Sequence, residues 1–213
     1  PLEKRGWEWG WLLKQAHLEL LTLPGQTGET TAVVFSSDGT RAIGGGIDGV
    51  VCVWDMASGV KLADYKCHES GILTVAVSPD VTLFATGTEH GEVAVWDLGT
   101  GRKNFCRKGH KGRVNRVLFS PDGQRVFSGA MDGYVRSWDT ATGEGFGTID
   151  VIGARTRNWV HDFALSSDGK WVLTGEGCSR ARLWEVETGR HIRTFSPRKE
   201  EVYAVAISPD GSR

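Results

Sequence analysis

The 213-residue chain lacks any surplus of charge: 25 lysines and arginines stand against 26 acidic residues, a formal net charge of −1. Without a basic excess there is no electrostatic footprint for nucleic acid or an anionic membrane surface. No apolar run approaches the length of a bilayer span, and no secretory signal precedes the patterned part of the sequence. Cysteine is scarce. Cys52, Cys67, Cys106 and Cys178 are scattered, with no CxxC pair, zinc-ligand spacing or haem motif, so they are read as reduced thiols and no disulfide framework is expected. The histidines are equally dispersed, and GxSxG, a phosphate-cradling P-loop and an HExxH pair are all missing. The expectation is therefore a chain without enzymatic activity, cofactor or metal. A cytoplasmic setting is expected, with an extracytoplasmic part of a membrane-anchored multidomain protein as the alternative.

What the sequence does have is a period. Trp54-Asp55, Trp96-Asp97, Trp138-Asp139 and Trp184-Glu185 recur at steps of 42, 42 and 46 residues, the size of a repeat unit in stacked or radial architectures. Ser-Ser-Asp at 36–38 and 166–168 and Ser-Pro-Asp at 78–80, 120–122 and 208–210 keep the same phase, each after an apolar strand-like segment. Gly39, Gly123, Gly169 and Gly211 follow these triplets and supply the positive φ of a tight hairpin, while Val81 stands at that place in the second repeat. Further turns at Asp48-Gly49 and Asp132-Gly133, and at Gly59, Gly101, Gly143 and Gly189, divide each period into four short strands. Acidic turn residues such as Asp38, Asp122 and Asp168 are assigned to local Asx hydrogen bonding.

Four antiparallel strands per 40–45 residues resemble the WD-repeat β-propeller family. The third repeat matches best: Gly109-His110, Phe119-Ser120-Pro121-Asp122-Gly123, Ser128-Gly129, Asp132-Gly133 and Trp138-Asp139. The resemblance implies an all-β fold, a β-propeller of four-stranded antiparallel blades, with a buried hydrogen-bonded tetrad of His110, Ser128, Asp132 and Trp138. Other repeats depart from it. The first has Gln26, Gly44, Asp48 and Trp54; the second His68, Thr86, His90 and Trp96; the fourth Thr156, Thr174, Cys178 and Trp184. One complete tetrad is thus expected, with His68 left unpaired or water-bridged. Gly44-Gly45-Gly46 falls in the second strand of the first repeat and is read as a bulge or a degenerate tetrad position.

The resemblance covers residues 17–213, with blades at about 24–66, 67–108, 109–154 and 155–197 and a partial blade at 198–213. Residues 18–23 read as an outer strand without its own blade, and 202–213 as a first strand without the other three. This implies a partial ring, a fragment of a larger and commonly seven-bladed propeller, whose open edges invite pairing with other chains. Assembly of two copies into one ring is the alternative. Residues 1–16, with Trp7, Trp9 and Trp11 at roughly helical spacing, read as a lead-in helix or linker. They resemble the junction in planctomycete-type bacterial multidomain WD-repeat proteins, some of which carry a serine/threonine protein kinase domain upstream.

Function is expected on a face of the ring, as a protein–protein interaction scaffold. The alternatives are a sensory or regulatory module of a larger bacterial signalling protein such as a kinase, and a propeller enzyme or small-ligand binder. Carried over by resemblance, the top face comprises Glu29, Thr31 and Ile47; Gly71, Leu73 and Glu89; Arg113, Asn115 and Met131; Trp159, His161 and Gly177; and Glu201 and Tyr203. Arg113, Trp159 and Tyr203 are the expected anchors, because Arg, Trp and Tyr bury large area while keeping polar handles. Arg155 and Arg157, in a fourth repeat four residues longer than the others, add a grip for an acidic or phosphorylated segment. A protein or peptide partner, or another domain of the same polypeptide, is expected; nucleic acid and membrane are not.

Overall fold

A computed structural model describes Leu23, Gly25 and residues 28–151, 159–195 and 200–211. The lead-in, most of the 18–23 segment, Gln26, Arg155, Thr156 and Arg157 lie outside the described residues.

Among the described residues, sixteen strands form four sheets, and within each sheet the strands lie in chain order. The first blade holds β1 (Thr30–Phe35), β2 (Arg41–Gly46), β3 (Val50–Asp55) and β4 (Lys61–Lys66). The second holds β5 (Ile72–Val77), β6 (Leu83–Thr88), β7 (Glu92–Asp97) and β8 (Lys103–Lys108). In the third are β9 (Val114–Phe119), β10 (Arg125–Ala130), β11 (Tyr134–Asp139) and β12 (Gly145–Asp150), and in the fourth β13 (Val160–Leu165), β14 (Trp171–Glu176), β15 (Arg180–Glu185) and β16 (His191–Phe195). All ladders are antiparallel, as short hairpin turns require.

The turns are built as their residues dictate. Ser36, Ser78, Ser120, Ser166 and Ser208 each donate a hydroxyl to the Asp two residues on, at 2.5–2.6 Å. These bonds hold the carboxyls of Asp38, Asp80, Asp122 and Asp168 below the ordinary range. The next residue is glycine with φ near +70° in four of the turns, whereas Val81 adopts φ 60°, a left-handed conformation in which a β-branched side chain is strained.

Each blade buries its faces against its neighbours. Ile43, Val51 and Val53 of the first blade pack with Ile72, Val75, Phe84 and Trp96 of the second. Val93, Val95 and Phe105 meet Val114, Val117 and Trp138; Phe127, Val135 and Ile149 meet Val160, Phe163 and Trp184. Each of these tryptophans therefore stands against the preceding blade as a post, and truncating one costs about 3–5 kcal/mol. Close approach also explains the glycine at one repeated place in the second strand of every blade. A Cβ on Gly45 would come within 2.7 Å of Ile72 and Val75, and one on Gly87 within 2.5 Å of Val114. Gly45 is thus a contact glycine between blades rather than a bulge; Gly44 occupies the tetrad-hydroxyl position, as the second of the two readings had it.

Consecutive blades touch through β1 and β5, β5 and β9, and β9 and β13, so these strands are innermost, and among the described residues the sheets do not close into a ring. Residues 202–207, expected as the first strand of a partial blade, have no ladder partner among the described residues. Val202 N–H bonds to the Glu176 carbonyl at 3.1 Å. A strand exists by virtue of a paired neighbour, and nothing in the described chain pairs with this segment. No helix among the described residues is long and apolar enough to cross a membrane.

Candidate interaction face

Behind the face, the blades are locked by polar clusters. In the third blade, His110 Nδ1 faces Asp132 at 3.0 Å, His110 Nε2 lies 2.7 Å from Ser128 Oγ, and the Trp138 indole N–H donates to that hydroxyl at 2.9 Å. Arg136 adds a guanidinium 2.9 Å from Asp132. Burial pushes the Asp132 carboxyl upward, but the His110 bond and charge, the Lys111 N–H and Arg136 outweigh it and bring it down to about 2.

Two further blades hold complete clusters that the aligned motif positions do not show. In the second, Trp96 donates to Thr86 at 3.1 Å and Thr86 Oγ1 lies 2.8 Å from His68 Nε2. The carboxylate at His68 Nδ1, at 3.1 Å, comes from Glu92 rather than from the motif position held by His90. His68 is therefore paired, contrary to expectation. Burial lowers its pKa, opposed by Glu92. In the fourth blade, Trp184 donates to Thr174, Thr174 donates to Glu176 Oε1, and Arg182 grips the same carboxylate with Nε at 2.7 Å and an η-nitrogen at 2.6 Å. Glu176 is fully buried. Cys178, at the motif's Asp place, contributes only a long thiol contact of 3.5 Å to Glu176. The missing Asp is thus replaced by a Glu two residues later in one blade and two residues earlier in the other. His90 and Cys178 lie in the turns between the second and third strands, while Glu92 opens β7 and Glu176 closes β14, so each glutamate stands at a strand end flanking the turn and reaches the cluster with its longer side chain. That is the signal which reading the motif position alone passes over.

The face itself arises from irregularities repeated in every blade. At the start of each innermost strand the ladder skips one residue, between Thr30 and Ala32, Ile72 and Thr74, Val114 and Arg116, and Val160 and Asp162. The skipped residues are Thr31, Leu73, Asn115 and His161. A bulge re-aims a side chain, and these four line one depression of about 630 Å³ together with Glu29, Thr30, Arg113, Met131 and Tyr203. Farther along the same inner strands, Val33, Phe35, Val75, Leu118, Phe163, Val205 and Ile207 border a second, more apolar axial depression of about 620 Å³.

Of the expected anchors, Arg113 is exposed on the rim and Tyr203 is 68% exposed. Tyr203 packs on His161 with ring centroids 4.8 Å apart, and His161 Nε2 lies 3.1 Å from Glu201. Glu201 also accepts from Tyr203 and raises the phenol pKa. Trp159 stands outside the lining, edge-on to His161 at 6.2 Å and beside Gly177. Asn115 has a second duty, since its amide donates to the Val160 carbonyl at 2.7 Å and ties the third blade to the fourth. Thr31 makes the corresponding bond to the Ile72 carbonyl. Ile47, Gly71 and Glu89 do not join the axial site; they line a separate cavity between the first and second blades.

Known proteins share this pattern. The family described as WD domain, G-beta repeat matches at residues 18–55, 59–97, 101–139 and 150–185, well over half of the chain. Among curated relatives, a stretch of 59 residues is 42% identical to small ribosomal subunit protein RACK1z of Arabidopsis thaliana, covering 28% of this chain and 18% of that protein. Over 66 residues the chain is 35% identical to eukaryotic translation initiation factor 3 subunit I of Aspergillus oryzae, covering 31% and 20%. Apoptotic protease-activating factor 1 of Danio rerio is 41% identical over 54 residues, 25% of this chain and 4% of that protein. The matched stretches span about a fifth or less of these relatives. The in-phase repeats, the four antiparallel blades and the family match agree, and the chain belongs to the WD-domain, G-beta-repeat family.

Proposed function

We propose that this chain is a non-catalytic protein-interaction module that seats a protein segment on the axial depression at the N-terminal ends of β1, β5, β9 and β13. The observation that carries the proposal is the bulge repeated in each innermost strand, which directs Thr31, Leu73, Asn115 and His161 to one place beside Arg113, Met131 and Tyr203. The lining mixes one guanidinium, one carboxylate, one imidazole, one exposed phenol, amide and hydroxyl groups and two apolar side chains, Leu73 and Met131. That mixture suits the polar-rimmed, aromatic-anchored surfaces that bind proteins. Two relatives are named as subunits of larger assemblies, a small ribosomal subunit protein and a subunit of an initiation factor, which supports the reading.

Peptide-display selection on the whole chain tests it. Selected peptides are expected to lose at least tenfold in affinity for Arg113→Ala/Tyr203→Ala, as truncating two hot-spot residues entails. They are expected to bind Val60→Ala, altered at an exposed position far from the site, as they bind the wild type. Equal binding to all three proteins, or failure to select any peptide, counts against the axial face.

A further inference from the structure

The cavity that collects Ile47, Gly71 and Glu89 holds about 720 Å³ and lies over the polar cluster of the second blade. His68, Glu92 and Cys106 open onto it, and one ligand atom from each lies within 4.8 Å of the others. They come from three places: the loop after β4, the first residue of β7, and the middle of β8.

A comparison between blades shows what is different here. The third and fourth blades pair the carboxylate of the polar cluster with an arginine, Asp132 with Arg136 at 2.9 Å and Glu176 with Arg182 at 2.6 Å; in the first blade Cys52 holds the arginine's place, and its cross-strand partner Asp64 pairs with Lys61 at 2.6 Å. In the second blade the place of Arg136 and Arg182 is taken by Ala94, and Cys106 is its cross-strand partner where Thr148 and Thr194 face the arginines. Removing a guanidinium and introducing a thiol opposite it clears space beside Glu92 and adds a soft ligand. Among the described residues, Glu92 has only His68 as ion-pair partner. Lys103, at the place of Lys61, instead rests its ammonium 5.2 Å from the Trp96 ring centroid. Ser70 Oγ, in the same cavity, is buried without a hydrogen-bond partner.

From this geometry we infer that His68, Glu92 and Cys106 form a divalent metal site of the zinc class, the metal standing where the third and fourth blades carry an arginine. Imidazole, carboxylate and thiolate are the donor set of zinc and exclude magnesium, which takes hard oxygen ligands. Zinc bonds of about 2.0–2.3 Å require the three donors to draw together by roughly 1 Å, a movement available to the Cys106 side chain on the outer strand. The proton balance is simple. Cys106 gives its proton to solvent, and the His68 ring changes tautomer. Nδ1 then ligates while Nε2–H donates to Thr86 Oγ1, the outer-shell bond that orients a metal-binding histidine. Three protein ligands leave the fourth position to water or to a partner's side chain, within reach of the cavity. Lys103 and Lys66 line the same cavity and oppose the cation; Glu89 and Glu69 favour it.

Titration of the reduced whole chain with Co²⁺ tests the site, followed by displacement with Zn²⁺. The expected result is one ion per chain and a thiolate-to-cobalt charge-transfer band that Zn²⁺ removes and Mg²⁺ leaves unchanged. Cys106→Ser abolishes the band, and Glu92→Gln weakens binding at least tenfold. Cys67→Ser, altered in the other cavity thiol, keeps it. Ala94→Arg installs the guanidinium of the third and fourth blades and is expected to abolish metal binding while circular dichroism stays that of a folded propeller. Absence of the band in the wild type, its survival in Cys106→Ser or Ala94→Arg, or its loss in Cys67→Ser overturns the assignment.

Discussion

At the scale of single residues, polar groups in this protein are settled by what surrounds them rather than by their motif position. Asp132 is the clearest case, because His110, Arg136 and the Lys111 N–H all favour its charged form. Its folded pKa, about 2, lies below the unfolded value. The unfolded chain therefore takes up a proton first as pH falls, so this contribution to stability is complete above about pH 4 and is lost between there and pH 2. Asp132→Asn is expected to cost about 2 kcal/mol at neutral pH, the scale of a charge-assisted bond. Urea unfolding across the acid range checks this: the difference between variant and wild type shrinks as the pH is lowered through that window. A pH-independent difference would assign the loss to shape alone. Cys67 shows the opposite influence, since burial pushes its thiol up to about 12 and leaves it unreactive.

At the scale of the element, the fourth blade replaces a histidine-aspartate lock with an arginine-glutamate one. Glu176 has no exposed surface, and Arg182 spans its carboxylate, the Val151 carbonyl and the face of Trp184. Breaking a buried pair from one side leaves an uncompensated charge, so Glu176→Gln and Arg182→Met are each expected to destabilise by about 3 kcal/mol. The double variant Glu176→Gln/Arg182→Met is expected to cost clearly less than the sum, with a coupling of roughly 2 kcal/mol in a double-mutant cycle. Additive losses would show that the two side chains act independently. This lock was only half legible beforehand. Thr174 and Trp184 stand in phase with Ser128 and Trp138, but Glu176 lies off the motif, and only the pairing of β14 with β15, Gly175 to Ala181 and Thr174 to Arg182, brings the arginine across to it.

At the scale of the molecule, stability is graded from the centre of each blade outward. The second strands β2, β6, β10 and β14 are almost wholly buried, whereas β16 is exposed along its length and β12 nearly so. Native-state hydrogen exchange is expected to follow that order, slowest in β6 and β10, which have a blade on either side, and fast in β16. Residues 203–207 exchange fastest, except Val205, whose N–H bonds to Asp162. Uniform protection across a blade would mean that the four strands open as one unit.

The repeat period by itself determined the strands, the turns and the Trp posts, because those depend on local chemistry: alternation, Asp-Gly turns and one large side chain per blade. The family resemblance, rather than the period, set Arg113, Asn115, Met131, His161 and Tyr203 on one face as an expectation, and these five line one depression. Only the tertiary structure decided that Glu92 and Glu176 complete two further locks, that Asn115 ties two blades, and that His68, Glu92 and Cys106 meet. His68 and Cys106 lie 38 positions apart, and Asn115 lies 45 from Val160. What joins them is cross-strand pairing and the closeness of a loop to a sheet face, and neither leaves a fixed spacing in the chain.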